Sequence, residues 1–303
     1  MSDVHIGVDL GGTKIEAIAL DRSGAVSWRR RVATPREDYD ASLDAMTELV
    51  LELEQKLCAV SLPVGIAMPG TISPATGRVK NANSTWLNGR YLSHDLERRL
   101  ARPVRFANDA NCFALSEASD GAGRGVATVF GVIVGTGTGG GVVVHERLWS
   151  GPNAIAGEWG HNPLPWMRPE EQPGPECYCG QRGCIETFLS GPGLTRDHER
   201  TCGTAWEPER IVAAAASGSA AAEQTLQRYE DRMARALASV INVLDPDVIV
   251  LGGGLSKLER LYTNVSARLE RYVFSDSLVT SIVPPCHGDA SGARGAARLW
   301  PFS

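Results

Sequence analysis

The sequence predicts an α/β protein made of two similar halves. Short aliphatic and β-branched runs alternate with helix-period segments along the chain. A hairpin with a glycine bend opens the chain, and a second of the same kind returns after Thr128. Glycines cluster behind three predicted strands, at Gly11-Gly12, Gly135–Gly141 and Gly252–Gly254. A chain of 303 residues has the length of two domains at roughly 100–200 residues each.

HIGVDL and IEAIAL read as the arms of the first hairpin, with Gly11-Gly12 at the bend. A third strand follows around residues 25–32. Residues 41–58 form an amphipathic helix with Leu43, Met46, Val50, Leu53 and Leu57 on one face. VGIAMPG (64–70) is a strand running into a turn, and 71–90 reads as loop. Residues 92–100 form a short polar helix, 103–107 a strand and 108–121 a helix. Strands at 128–134 and 140–144 flank GTGTGG. Residues 145–193 show little periodicity. Residues 222–244 form the clearest helix, with Leu226, Tyr229, Met233, Leu237, Val240, Ile241 and Leu244 on one face, stopped by Asp245-Pro246. VIVL (248–251) is a buried strand. A small-residue helix at 291–300 is suited to packing closely back onto the first half. The expected domains are 1–120, rejoined by 290–303, and 121–289.

Acidic residues outnumber basic ones, 35 to 30, so nucleic acid is not an expected partner. Arg29-Arg30-Arg31 reads as a solvated turn or strand edge. No apolar run is long enough to span a membrane. The start, MSDVHIGVDLGG, lacks a basic then apolar leader, and seven cysteines without one point to a reducing compartment; the expectation is a cytoplasmic protein.

Glycine turns let backbone N–H groups approach an anion without a Cβ in the way. Three of them after strands point to a nucleotide site. Gly135-x-Gly137-x-x-Gly140 matches a dinucleotide fingerprint, but a strand rather than a helix follows it. No Gly-Lys pair exists for a Walker A loop. A phosphate hairpin in each half remains. Asp9 reads as a partner of hydrated Mg²⁺ or as a turn-starting aspartate. Lys14 reads as a phosphate contact or a solvated strand lysine. Asn108-Asp109 reads as a helix cap or, at Asp109, as a general base kept ionised by the helix N-terminus.

Cys177-x-Cys179-x4-Cys184 with His161 supplies the donors of a tetrahedral structural zinc site. Glu158 and Glu186 flank this set, so a zinc ion would brace a segment carrying two carboxylates able to accept hydrogen bonds from sugar hydroxyls.

DLGGTK (9–14), NDAN (108–111), GTGTGGG (135–141), GEWGHN (157–162) and CYCGQRGCIE (177–186) resemble the ROK family of sugar kinases and sugar-responsive repressors. The resemblance implies an actin-like, ribonuclease-H-like ATPase fold, a homodimer, and ATP with Mg²⁺ in the cleft between the halves. It implies Asp109 as base and zinc on His161, Cys177, Cys179 and Cys184. It implies sugar contacts from Asn83, Asn108, Asp109, Glu158, His161 and Glu186, with His161 ligating zinc and turning one side to the sugar. ATP would meet Asp9, Gly11, Gly12, Thr13, Lys14, Gly135, Thr136, Gly137, Thr138, Gly139, Gly252, Gly253 and Gly254. KNANSTWLNG (80–89) and GHNPLPW (160–166) look most like ROK fructokinases, which implies fructose, and also mannose, as substrate; glucokinases and N-acetylglucosamine kinases are the near alternatives. A sugar-sensing regulator is the alternative of another class. Repressors of the family carry a helix-turn-helix domain ahead of DLGGT, and the few residues ahead of Asp9 favour a kinase.

Overall fold

In the computed structural model, which describes residues 4–302, β1 (Val4–Leu10) and β2 (Lys14–Asp21) form the expected antiparallel hairpin. β3 (Val26–Ala33) adds an antiparallel edge to β2. The arginine run lies on this edge strand: Arg29 and Arg31 both pair with the buried Glu16, and Arg30 with Glu52. α1 (Tyr39–Lys56) starts at Asp38, whose carboxylate accepts from Ala41 N, and buries Leu43, Met46, Val50 and Leu53. β4 (Val64–Met68) then pairs parallel with β1.

Residues 71–90 are more ordered than their composition suggests. β5 (Thr71–Ile72) and β6 (Val79–Lys80) form a small antiparallel ribbon. α2 (Leu92–Leu100) leads to β7 (Val104–Asn108), parallel to β4, and α3 (Asp109–Asp120) follows without a gap. The first sheet therefore runs β3-β2-β1-β4-β7.

The pattern repeats with β8 (Thr128–Val134), β9 (Thr138–Val144), β10 (Arg147–Trp149), α4 (Glu186–Leu189), α5 (Gly191–Cys202), α6 (Pro208–Ala216), α7 (Ala220–Leu244), β11 (Val248–Gly252), α8 (Arg260–Leu269) and β12 (Ser281–Val283). The second sheet runs β10-β9-β8-β11-β12, the same order of an antiparallel edge followed by parallel strands. Duplicated sheets of this order are the actin-like ATPase fold that the sequence predicts. The short α4 aside, α5, α6 and α8 have no counterpart in the sequence reading; α5 opens on Gly-Pro-Gly and exposes polar residues, so its apolar stripe is faint.

Two compact units result. The first holds the chain up to Gly125, Gly141–Ala156 and the segment from His287 onward; the second holds Val126–Gly140 and Gly157–Cys286. Residues 141–156, placed by the sequence reading with the second half, cluster with the first. No helix among the described residues is long and apolar enough to cross a membrane.

α9 (Ser291–Ala297) sits in a glycine-lined seat of the first unit. A Cβ on Gly7 of β1 would lie 1.9 Å from Ala293 O, and one on Gly65 of β4 1.9 Å from Ala296 O. On the other side, a Cβ on Gly295 would lie 1.7 Å from Cys112 O of α3. The helix thus touches sheet and helix backbones at separations that no side chain fits. Gly295→Ala should force a backbone shift worth about 1–3 kcal/mol, read as a Tm several degrees lower in thermal unfolding.

Candidate functional site

In the first unit, Asp9 is the penultimate residue of β1 and Asp109 the first of α3. Asn108 is the cap: its Oδ1 accepts from Ala110 N at 2.8 Å, and its Nδ2 donates to Gly70 O at 3.2 Å. Asp109 Oδ1 accepts from the same Ala110 N–H at 2.8 Å. Asn108 is thus the helix cap, and the Asp109 carboxylate is left in solvent reach.

The expected effect of the helix end on Asp109 is outweighed. Crowding by protein raises the Asp109 pKa, while hydrogen bonds from Ala110 N–H, its own N–H and the Asn108 side chain pull against it. A carboxylate of raised proton affinity is a better general base than a free one. Burial, then the Asp109 and Glu16 charges, pushes Asp9 up to about 7, against Lys14 and Arg31. Two mutually repelling carboxylates favour a divalent cation, so the chemistry of this pair fits Mg²⁺ at Asp9. A Cβ on Gly292 of α9 would lie 2.6 Å from Asp9 Oδ2, so glycine is needed for the carboxylate to sit where it does.

The first glycine turn is closed by Gly11 N donating to Lys14 O at 3.0 Å. Its carbonyls are bonded by the segment that follows β3. Gly11 O accepts from Thr34 Oγ1, Gly12 O from Arg36 Nε, and Thr13 O from Thr34 N. Tying these oxygens down removes acceptors that would repel a phosphate. Asn83 is exposed between buried Ala82 and Ser84, and a Cβ on Gly12 would lie 3.6 Å from Ser84 Oγ. Asn88 fixes that loop: it accepts from Ala82 N at 2.9 Å and donates to Ala82 O at 2.8 Å.

In the second unit, the glycine turn and the acidic loop are one packed piece. Thr138 N donates to Glu186 Oε2 at 2.9 Å, and Trp159 Nε1 donates to Gly139 O at 2.9 Å. A Cβ on Gly160 would lie 2.0 Å from Thr138 O. β9 begins at Thr138 rather than at residue 140. Glu158 precedes the short helical turn Trp159–His161. Glu186 thus has one oxygen committed to the turn. Gly253 turns at φ 83°, and a Cβ there would lie 2.4 Å from Val134 O. Gly254, Gly135, Thr136 and Gly191 line a cavity of about 620 Å³ with Thr195, Arg196, Glu199 and Glu207–Glu209. Its size suits a nucleoside.

His161, Cys177, Cys179 and Cys184 converge, with one donor atom of each lying within 4.8 Å of all the others. Cys177 Sγ is 3.6 Å from His161 Nδ1, and Cys179 Sγ is 3.6 Å from Cys184 Sγ. All seven cysteines are free thiols. Gly180 and Gly183 take φ of 88° and 70°, the left-handed values that make the knuckle. Burial, reinforced by the neighbouring cysteines, pushes the Cys184 thiol up to about 12. Burial raises Cys177 too, whereas the backbone N–H of Gln181 lowers Cys179. Three sulfurs and one imidazole nitrogen at this spacing fit tetrahedral zinc. His161 turns Nδ1 to the sulfurs, and Nε2 meets the Tyr178 hydroxyl at 2.9 Å. That second nitrogen is thus engaged by Tyr178, and a further hydroxyl would have to take Tyr178's place.

The sequence reading missed what anchors this segment. Beneath its apolar face, α7 carries Arg232 and Arg235, both buried. Both reach Glu171 Oε1 at 2.8 Å. Arg232 also meets Asp197 at 3.0 Å, and Arg235 bonds Pro165 O and Trp166 O at 3.0 and 2.9 Å. The sequence reading covered only the apolar face of α7; the partners that hold these arginines in the core, Glu171 and Asp197, lie far along the chain.

The family model described as ROK family matches residues 5–302. The chain belongs to the ROK family. It is 40% identical over 300 residues to an N-acetyl-D-glucosamine kinase of Photobacterium profundum, covering 98% of this chain and 99% of that protein. The ROK hexokinase of Thermus thermophilus superimposes with a TM-score of 0.87 at 29% identity, covering 97% of this chain and 96% of that one. A ROK family glucokinase from Streptomyces griseus, solved with glucose and AMPPNP, gives 0.77 at 28% identity, with 98% of each chain covered. The curated relative carries an amino-sugar kinase name, where the motifs at 80–89 and 160–166 led to fructokinase.

Purified protein should hold about one zinc per chain by elemental analysis, and Cys184→Ser should lose it and lower Tm. Burial raises the Glu171 pKa, but hydrogen bonds from Arg235, the Arg168 N–H and Arg232 prevail and bring it to about 2. A depressed carboxyl stabilises the fold above its ordinary pKa near 4.5, and this is lost as pH falls towards 2. Glu171→Gln should therefore cost roughly 3–5 kcal/mol at neutral pH, with the gap to wild type in thermal unfolding narrowing below pH 4.5.

Proposed function

We propose that this protein is an ATP-dependent kinase of N-acetyl-D-glucosamine that phosphorylates the 6-hydroxyl. The observation that carries the reading is the 40% identity, over 98% of the chain, to a relative of that name. The site chemistry supports it. Asp109 takes the proton of the 6-hydroxyl as that oxygen bonds to the γ-phosphorus; the bond from phosphorus to the β–γ bridging oxygen breaks, and ADP leaves with its electron pair. The proton on Asp109 then passes to solvent. Backbone N–H groups of the turns at Gly11–Lys14 and Gly135–Gly139 hold the phosphates, and the Gly252–Gly254 turn borders the nucleoside cavity. Asp9 would hold Mg²⁺, which would neutralise phosphate charge. Asn83, Asn108, Glu158 and Glu186 hold the sugar hydroxyls, joined by His161 when its Nε2 exchanges the Tyr178 hydroxyl for one of the sugar's. His161, Cys177, Cys179 and Cys184 would hold a structural zinc, which would brace the loop. A homodimer, which rests on the family resemblance, and a cytoplasmic location, which rests on the cysteine usage, belong to this reading.

ADP release should be followed with MgATP against N-acetylglucosamine, N-acetylmannosamine, glucose, mannose and fructose. The highest kcat/KM should fall on N-acetylglucosamine. A maximum on fructose would restore the fructokinase reading, and no stimulation by any sugar would leave a sensor. Asp109→Asn should lower kcat by about 10²–10⁴ with the fold intact. Wild-type turnover in that variant would remove Asp109 from the chemistry.

A further inference from the structure

The first unit holds a second cavity that the roles above leave unused. It measures about 240 Å³, and Ile72, Phe106, Asn108, Asn111, Ser150 and Ala154 are among its lining residues. Asn108 is the residue before Asp109, and its side chain is fixed at both ends by Ala110 N and Gly70 O. The cavity therefore starts one residue from the proposed base. Asn111 lies in the first turn of the same helix. Its Oδ1 is buried and has no hydrogen-bond partner. A buried amide oxygen without a donor is unfavourable, and a native site usually supplies that donor from a ligand or water. Rotation of the amide offers the cavity either this acceptor or the two N–H donors.

The walls have a mixed chemistry. Ile72, Phe106 and Ala154 give an apolar face, and Ser150 gives a hydroxyl. No charged side chain is among the described residues that line it. The Ser150–Ala154 wall is built rather than loose: Lys80 Nζ donates to Asn153 O at 3.3 Å, and Ala154 holds the left-handed φ of 54°.

We propose that this cavity takes the 2-acetamido group of the sugar and that Asn111 is a specificity-determining residue. The proposal rests on the amino-sugar reading given above. An acetamido group carries one N–H, one carbonyl and one methyl. Asn111 Oδ1 accepts from the N–H, the Ser150 hydroxyl or the Asn111 amide donates to the carbonyl, and the methyl lies on Ile72, Phe106 and Ala154. A 2-hydroxyl leaves the apolar wall wet. A protonated 2-amine finds no carboxylate to neutralise it, so glucosamine is a poor substrate although it is smaller. The cavity thus distinguishes the acylated amine from both the alcohol and the free amine.

The test compares kcat/KM for N-acetylglucosamine, glucose and glucosamine in wild type, Asn111→Leu and Ile72→Phe, with folding checked by thermal unfolding. Leucine keeps the volume of asparagine and removes its polar atoms, whereas Ile72→Phe narrows the cavity from the opposite wall. In both variants the ratio of N-acetylglucosamine to glucose should fall by roughly 10-fold or more, the loss of one buried hydrogen bond or of the methyl's seat, and mainly through KM. A folded variant in which both sugars lose equally, or neither loses, overturns the proposal. If Asn111→Leu does not fold, Ile72→Phe decides alone. A wild type that favours glucose over N-acetylglucosamine overturns the amino-sugar reading itself, whereas a wild type that favours N-acetylglucosamine with an unmoved ratio in the variants overturns only the cavity assignment.

Discussion

The seat of α9 is the constraint on which the first unit depends. Gly7 and Gly65 let the helix backbone rest on β1 and β4, and Gly295 lets α3 rest on the other side. Asp9 is the next-to-last residue of one of those strands, and Asp109 begins that helix. Gly292 of the same helix leaves room for the Asp9 carboxylate. One buried helix of small residues thus fixes how far apart two acidic groups stand. Burial, together with the Asp109 charge, raises the proton affinity of Asp9. A larger residue anywhere in the seat would act on the chemistry through backbone displacement.

The second unit solves a different problem, because its functional segment has little regular structure. Residues 157–186 are held at three levels. Trp159 and Glu186 bond the glycine turn directly. His161, Cys177, Cys179 and Cys184 converge in a knuckle that fits a metal ion. Arg232 and Arg235 of α7 hold Glu171 and the carbonyls of Pro165 and Trp166 from beneath. Burying two guanidinium groups is favourable only when their donors are met by carboxylates and carbonyls, as they are here. The loop's shape is therefore set by polar partners rather than by an apolar face.

Those two solutions explain what the sequence disclosed. Hairpins, glycine turns and the cysteine spacing are local patterns, and each strand of both hairpins was legible from them. The close seat of α9 was foreshadowed by its run of Gly and Ala. The ion pairs of α7 were not legible, because Glu171 and Asp197 lie outside the helix and nothing local marks them. α5 and α8 were missed because their buried stripes are narrow. The raised proton affinity of Asp109 runs against the helix-end argument, since crowding depends on the whole fold. Motif likeness led to fructose, whereas the chain-wide identity leads to an amino sugar; two short loops carry less of the sugar's surroundings than the full set of residues that shape them.

The central claim is that this chain moves the γ-phosphoryl group of ATP to an acetylated amino sugar. Its most direct test is ³¹P NMR of the products formed from MgATP and N-acetylglucosamine. The account predicts a single sugar phosphate on the 6-oxygen, formed in equal amount to ADP. ADP accompanied by inorganic phosphate alone, or ATP left intact, would contradict it.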